Sequence, residues 1–67
     1  MTLKELRQAK KLSQKEVADA LGVGRSTVAM WENGSSFPKV EMFPAIAEIL
    51  DVKVGVLFDS LFEAARF

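Results

Sequence analysis

A segment near the middle of the chain, with glycine at each end, carries the side chains best suited to contacting another molecule. Its sequence is GVGRSTVAMWENG, residues 22–34. Projected at about 100° per residue, its polar, cationic and small apolar residues share one outward face: Arg25, Ser26, Ala29, Met30 and Asn33. Guanidinium, hydroxyl and amide groups form hydrogen bonds, and the methionine adds an apolar contact. The face therefore predicts a contact with a partner molecule.

Composition argues against several kinds of site. The 67-residue chain contains no Cys and no His, so disulfides, the common zinc sites and Ser-His-Asp triads drop out. Its carboxylates form no recognisable acid-base or metal-ligand arrangement, and so small a domain offers little concave volume for a substrate. We therefore expect no enzyme activity, no cofactor, no metal and no small-molecule ligand.

Charge is distributed unevenly along the chain. The net charge is zero, which by itself argues against a polyanionic partner. Residues 1–40, however, hold seven Lys and Arg against four Asp and Glu, giving +3, whereas residues 41–67 hold two against five, giving −3. The outward face described above lies in the basic part.

Length and hydropathy predict one small domain over residues 1–67, in a size range where a chain can fold alone. No apolar run approaches the roughly 20 residues that span a bilayer. The N-terminal sequence MTLKELRQAKK lacks the apolar segment of a signal peptide. We therefore expect a soluble protein in the cytoplasm with no membrane partner.

Two capping boxes predict the first two helices. Thr2 with Glu5 begins a helix of about residues 3–10, and Ser13 with Glu16 begins one of about residues 14–21. The second helix stops at Gly22, a residue type that readily takes positive φ after a helix end. A third helix of about residues 25–33 follows after the three-residue turn GVG. So short a turn favours two helices that cross steeply.

The rest of the chain predicts a loop and two further helices. Residues 34–39 (GSSFPK) have loop composition. A fourth helix runs to Leu50 and begins between Val40 and Phe43, because proline is tolerated only in the first turn and Pro44 limits the start. An apolar stripe predicts a fifth helix of about residues 54–66. The fold class is therefore all-α, a compact bundle of four to five short helices.

The combination of these motifs resembles the phage-repressor-like (Cro/Xre-type) helix-turn-helix family. The matching pattern is SQKEVADALGVGRSTVAMWENG, then P-x-V-E-x-x-P-x-I-A-E-x-L and V-x-V, within residues 3–58. The resemblance implies a lambda-repressor-like DNA-binding domain in which helices 2 and 3 form the helix-turn-helix. It also implies a transcriptional regulator, mostly a repressor, that binds a double-stranded DNA operator as a homodimer in the nucleoid of a bacterial or phage-infected cell.

The resemblance makes helix 3 the recognition helix and gives its outward residues base contacts. Arg25 would reach O6 and N7 of a guanine, Ser26 would bond to a base edge, and Met30 would touch thymine methyl groups. Ala29 would allow close approach. The alternatives are a solvated or phosphate-binding Arg25 and a merely tolerated exposed Met30.

Four further residues match family positions that contact the DNA backbone: Gln14, Thr27, Asn33 and Lys39. The first N–H groups of the helix that Gln14 begins also favour an anion. The alternatives are a surface glutamine, an asparagine that only ends its helix, and a solvated lysine. One departure affects this region, because Gly24 stands where Ser or Thr usually caps the recognition helix.

Three residues are predicted to be structural. Trp31 shares the inner face of helix 3 with Val28, so core packing is favoured over stacking on a nucleobase. Arg7 and Glu32 match family positions that form a salt bridge between helices 1 and 3. If buried, such a pair fixes geometry more than it adds stability.

The C-terminal helix has more apolar side chains than one short helix buries under a small domain. Surplus apolar surface commonly marks an interface, and we expect a homodimer through four residues: Val56, Phe58, Leu61 and Phe62. Phe67 would add to this surface. The alternatives are that Phe58 and Phe62 close the monomer core, or that this helix holds another protein in an antitoxin-like binding module.

Overall fold

The computed structural model describes residues 1–64, which form five α-helices and one turn of 3-10 helix. The elements are α1 (Leu3–Ala9), α2 (Gln14–Leu21), α3 (Arg25–Asn33), the 3-10 turn (Val40–Met42), α4 (Phe43–Leu50) and α5 (Val54–Ala64). No strand occurs within these residues, and the all-α prediction is confirmed. The predicted bounds of α2 and α3 are confirmed as well.

The first two helices begin with the predicted capping boxes. The Thr2 hydroxyl accepts from the Glu5 N–H, and the Ser13 hydroxyl accepts from the Glu16 N–H, while each glutamate accepts from its cap N–H in return. The backbone N–H and the hydroxyl of Thr2 bond to the Glu5 carboxylate and hold the pKa of Glu5 below its ordinary value. Both helix starts are therefore determined by residues three positions apart.

The helices end in left-handed backbone conformations. Gly22 follows α2 at φ 72° and Gly34 follows α3 at φ 81°. Asp51 after α4 has φ 55° and Lys11 between α1 and α2 has φ 57°, which is unusual for residues with a side chain. The chain therefore turns sharply at each of these four positions.

The fourth helix begins where Pro44 allows. Pro44 lies in the first turn of α4, where its missing N–H costs no hydrogen bond. The 3-10 turn precedes it, and residues 34–39 form the predicted loop. The predicted last residues of the fifth helix, up to about residue 66, lie outside the described residues, as does Phe67. No helix in the described part of the chain is long and apolar enough to cross a membrane.

The hydrophobic core draws on all five helices. Its buried residues are Leu3, Leu6, Val17, Ala18, Val28, Trp31, Phe43, Ile46, Ala47, Leu50, Leu57 and Leu61. Trp31 is only 3 % exposed, so its predicted position in the core is confirmed. Because Val28 and Trp31 both face inward, the opposite side of α3 is available to solvent.

The prediction that Leu61 lies in a dimer interface is wrong. Leu61 is 2 % exposed and packs in the core, as does Leu57 one turn before it. Residues four apart share a helix face, so this pair forms the inner row of α5. Phe58 and Phe62 form the neighbouring row and are about half exposed, at 48 % and 54 %.

Candidate nucleic-acid interface

The outward face of α3 presents the side chains that the sequence singled out. Arg25, Ser26 and Asn33 are exposed, and Met30 is 41 % exposed. Ala29 is partly buried. The face is thus a polar helix surface with one exposed apolar side chain near its middle.

Close packing of α2 against α3 holds this face outward. Ala18 is 1 % exposed, and its carbonyl oxygen accepts from the Val23 N–H at 3.0 Å, which closes the turn after α2. The left-handed Gly22 lets the chain reverse at this point. Small residues at the crossing therefore place the start of α3 beside the start of α2.

A buried ion pair ties α3 to α1. Arg7 Nε lies 2.6 Å from Glu32 Oε2, and Arg7 Nη2 lies 3.1 Å from Glu32 Oε1. The side chains are only 10 % and 5 % exposed. Arg7 Nη1 also donates to the Leu12 carbonyl oxygen at 2.7 Å. The predicted pair is therefore present, in the bidentate geometry that gives arginine-carboxylate pairs their directionality.

Gln14 connects the Arg7–Glu32 ion pair to Arg25 on the outward face of α3. Its Nε2 donates to Glu32 Oε1 at 3.1 Å, and its Oε1 accepts from Arg25 Nη1 at 3.3 Å. The first residue of α2 is thus hydrogen-bonded to the first residue of α3. Sequence reasoning missed this network, since nothing in the local pattern joins positions 18 and 11 residues apart.

A cationic cleft lies along one flank of α3. Its volume is about 450 Å³, and its lining combines α1, the start of α2 and the start of α3: Lys4, Arg7, Ser13, Gln14, Lys15 and Arg25. Arg7 is committed to Glu32, and Lys15 forms an exposed ion pair with Asp19 at 2.8 Å. Sequence reasoning did not assign Lys4, although it lies one helical turn before Arg7 and so on the same side of α1.

A second, more apolar cavity lies along the other flank. Arg25 and Thr27 point about 200° apart around the axis of α3, so the two cavities lie on either side of the outward face. The second has a volume of about 390 Å³, and its lining residues are Val23, Thr27, Trp31, Ser36, Phe37, Pro38, Lys39 and Met42. Thr27 and Lys39, both predicted to contact the DNA backbone, are thereby neighbours.

Asn33 has a structural role at the end of α3. Its Oδ1 accepts from the Ser35 backbone N–H at 2.9 Å, which stabilises the turn after the helix. The side-chain amide nitrogen of Asn33 is a separate donor, so a contact with the DNA backbone is compatible with this bond. That contact stays a prediction.

Four phenylalanines pack together where the core meets the surface: three are about half exposed, and Phe43 is buried. In this aromatic cluster, Phe37 contacts Phe62 with ring centroids 5.9 Å apart, Phe58 contacts Phe62 at 4.8 Å, and Phe43 contacts Phe58 at 6.3 Å. Phe37, from the loop after α3, is 48 % exposed and was missed by sequence reasoning because its segment has loop composition. Val56 of the predicted interface is 44 % exposed.

Comparison with known proteins identifies the family of this chain. The family model described as helix-turn-helix matches residues 3–57, which is most of the 67-residue chain. The chain belongs to the helix-turn-helix family. In this family's usual docking geometry, the second helix of the motif enters the DNA major groove, and that helix is α3 here.

Three curated relatives are between 33 % and 40 % identical to the chain over the aligned residues. They are the HTH-type transcriptional activator BcrR of Enterococcus faecalis, 33 % identical, the cryptic phage CTXphi transcriptional repressor RstR of Vibrio cholerae, 34 % identical, and the HTH-type transcriptional regulator YqaE of Bacillus subtilis, 40 % identical. Each alignment covers 55 residues and 82 % of this chain. The chain spans only 27 %, 50 % and 47 % of these relatives, respectively. No solved structure is a significant match to the chain.

The described residues also bear on metal binding. Within residues 1–64, no three His, Cys, Asp or Glu side chains come together in a way that would hold a metal ion.

Proposed function

We propose that the chain is a sequence-specific, double-stranded DNA-binding domain of a transcriptional regulator, with α3 as its recognition helix. The observation that carries this proposal is the exposed face of α3 beside the cationic cleft. In helix-turn-helix docking, the first residues of the second helix meet base edges while the first helix crosses the phosphate backbone. The helix-turn-helix family and the transcriptional regulators among its relatives support the same function.

In this proposal, the residues of the first two turns of α3 contact the bases. Arg25 is exposed at the first position, where its guanidinium can bond to O6 and N7 of one guanine. Ser26 beside it bonds to a neighbouring base edge. Met30, one turn further, contacts thymine methyl groups, and the small side chain of Ala29 permits the close approach.

Phosphates on both sides of the groove bind the two flanks of α3. On one side, the cationic cleft offers Lys4 and the second N–H of the Gln14 amide. On the other side, Thr27 and Lys39 lie together beside the second cavity, and Asn33 is at the end of the helix. Such contacts set the register of the protein on DNA without reading sequence.

The domain acts as a homodimer in this proposal. Phe58 and Phe62 are about half exposed on α5, and Phe37 extends the same surface. Val56 is also 44 % exposed but lies about 160° from Phe58 around the axis of α5, so the surface proposed for the dimer is the one formed by the phenylalanines. A two-fold dimer would place two recognition helices in successive major grooves, about 34 Å apart, on a pseudo-palindromic operator. We propose repression as the regulatory effect, which the repressor RstR among the relatives supports, in the cytoplasm of a bacterial or phage-infected cell.

A second candidate function uses the aromatic cluster alone. Exposed aromatic side chains are enriched at protein interfaces, so the cluster would also suit a module that holds a different protein. Substituting Phe62 distinguishes the two functions. If the chain is a dimeric DNA-binding domain, the substitution weakens self-association and operator affinity. If the chain is a protein-binding module, the substitution abolishes binding of the partner protein and leaves any DNA affinity unchanged.

The experiment that tests the proposal is selection of bound duplexes from a random DNA pool at two salt concentrations. A two-fold-symmetric motif with half-sites about one helical turn apart is expected. Binding should weaken steeply as salt rises, because phosphate contacts release counterions. Recovery of no enriched sequence at the lower salt concentration would overturn the proposal and favour the protein-binding module.

A further inference from the structure

We propose that Glu32 has a second role beyond its pair with Arg7: it is a positioning residue that sets the orientation of Arg25 for base reading. This inference rests on the proposed DNA-binding function. It assigns part of the sequence specificity to a side chain that is only 5 % exposed and that lies on the inner side of the recognition helix.

The argument begins with the bond between Glu32 and Gln14. An ionised carboxylate only accepts hydrogen bonds, and Glu32 Oε1 lies 3.1 Å from Gln14 Nε2. Arg7 donates two further bonds to the same carboxylate, at 2.6 Å and 3.1 Å, so both of its oxygens act as acceptors. The Gln14 amide must therefore turn its nitrogen towards Glu32.

This orientation decides what Gln14 offers to Arg25. With the amide nitrogen at Glu32, the amide oxygen faces Arg25 Nη1 at 3.3 Å and accepts its N–H. A guanidinium carries five N–H groups, so this bond leaves donors for the two acceptors of a guanine. The second N–H of the Gln14 amide stays available for a phosphate. One amide thus orients the base-reading side chain and binds the DNA backbone.

Glu32→Gln is the informative substitution because it keeps the side-chain shape and adds a donor. A glutamine at this position can pair with the Gln14 amide in either orientation. When the Gln14 amide is reversed, its NH₂ group faces the guanidinium, and two donors oppose each other. Arg25 then loses the acceptor that holds it, and the side chain samples more orientations before it meets a base.

The matched control is Arg7→Lys. It disrupts the same buried pair, because a lysine cannot form the bidentate bond, but it leaves the carboxylate that accepts from Gln14. Both variants are expected to lower thermal stability. Only Glu32→Gln is expected to change how Arg25 is oriented, so a loss of stability alone cannot mimic the predicted result.

The readout is the ratio of affinities for the selected operator and for an operator changed at one base pair. The base pair contacted by Arg25 is identified as the one at which the Arg25→Ala variant no longer prefers the selected base pair over the others. Glu32→Gln should lower the wild-type ratio at this pair by about fivefold or more and leave the ratios at other pairs unchanged. Arg7→Lys should keep the ratio at all pairs. Equal weakening of every operator by Glu32→Gln would overturn the inference.

Gln14→Ala tests the same network at a partly buried position at the start of α2, should Glu32→Gln fail to fold. It removes the acceptor for Arg25 and should lower the affinity ratio at the same base pair; an unchanged ratio would overturn the inference.

NMR of the DNA-free protein provides an independent test. The Gln14 side-chain amide should give protected signals in the wild type and in Arg7→Lys, and exchange-averaged signals in Glu32→Gln. Averaged signals in the wild type would overturn the inference about Glu32. A wild-type protein that selects no operator would instead refute the proposed function itself.

Discussion

Arg25 is the side chain on which sequence preference should depend most directly. Arg25→Ala removes the guanidinium that would pair with one guanine, and each good bidentate pair contributes about 1–3 kcal/mol of discrimination. We expect the variant to bind the selected operator more weakly and to lose preference at one base pair in each half-site. Titration of single-base operator variants at constant salt measures both effects.

Lys4→Ala is the control for Arg25→Ala, because Lys4 lines the same cleft but belongs to α1. A lysine at a phosphate should contribute affinity without base preference. The variant should weaken all operators alike and lower the slope of log affinity against log salt by about 0.9. If both variants changed base preference to the same degree, the separation of reading and backbone contacts would be wrong.

The Arg7–Glu32 pair makes a stability prediction of its own. Arg7→Ala leaves the Glu32 carboxylate buried without its cation, and breaking one partner of such a pair costs about 3–5 kcal/mol. A domain of this size has a total stability of about 3–10 kcal/mol, so the loss is a large share of it and the variant should unfold at a clearly lower temperature than the wild type. Thermal and urea unfolding followed by circular dichroism measure the loss.

Lys15→Ala provides the comparison. It breaks the exposed pair between Lys15 and Asp19, whose side chains are 75 % and 64 % exposed, and exposed pairs contribute little. The variant should unfold at almost the wild-type temperature. A large loss of stability from Lys15→Ala, together with a small loss from Arg7→Ala, would contradict the assignment of Arg7–Glu32 as the more stabilising ion pair.

The turn between α2 and α3 contains two glycines with different structural roles. Gly22 has φ 72°, where a side chain is strained although no atom lies within 4 Å of an added Cβ. Gly24 has φ −77° and caps α3 without a side-chain bond. Gly22→Ala should therefore lower the free energy of unfolding by about 1 kcal/mol, as measured by urea denaturation.

Gly24→Ser is the matched change within the same turn. A Cβ there meets only side-chain atoms at 3.8 Å and 3.9 Å, and a serine hydroxyl can accept from an N–H of the first turn of α3. The substitution should raise the free energy of unfolding by a few tenths of a kcal/mol. An equal decrease in the free energy of unfolding for Gly22→Ala and Gly24→Ser would contradict the prediction that a side chain is strained only at position 22.

The helices differ in how completely their sequences predicted them. The capping boxes, the glycine stops and Pro44 are signals within a few residues, and they placed α1 to α4 correctly to within one residue. The stripe on α5 was also read correctly as a helix. It contains two neighbouring rows, Leu57 with Leu61 and Phe58 with Phe62, and periodicity does not say which row faces the core.

Adjacent residues of α5 give a prediction about assembly. Leu61 is buried in the core and Phe62 is 54 % exposed. Phe62→Ser should weaken self-association in sedimentation velocity and leave the secondary structure unchanged. Leu61→Ala should instead lower the free energy of unfolding by about 2–5 kcal/mol, because it opens a cavity among well-packed side chains.

Two results would contradict this assignment. A wild-type protein that sediments as a monomer at high micromolar concentration, without DNA, would remove the proposed dimer. A Phe62→Ser variant that unfolds as readily as Leu61→Ala would show that the aromatic cluster belongs to the monomer core. The ring contacts of Phe62 with Phe37 and Phe58 make a small loss of stability compatible with the prediction.

The sequence by itself determined the helices, the short turn after α2 and the outward face of α3, because these depend on residues within about one turn of each other. Motif resemblance also indicated the pair of Arg7 and Glu32, 25 positions apart. Only the tertiary structure decided that Gln14 joins Glu32 to Arg25, that Lys4 enters the cleft, that Phe37 meets Phe62, and that Leu61 is buried. Such contacts depend on how each helix is rotated about its axis, and that rotation is fixed by packing the whole core at once.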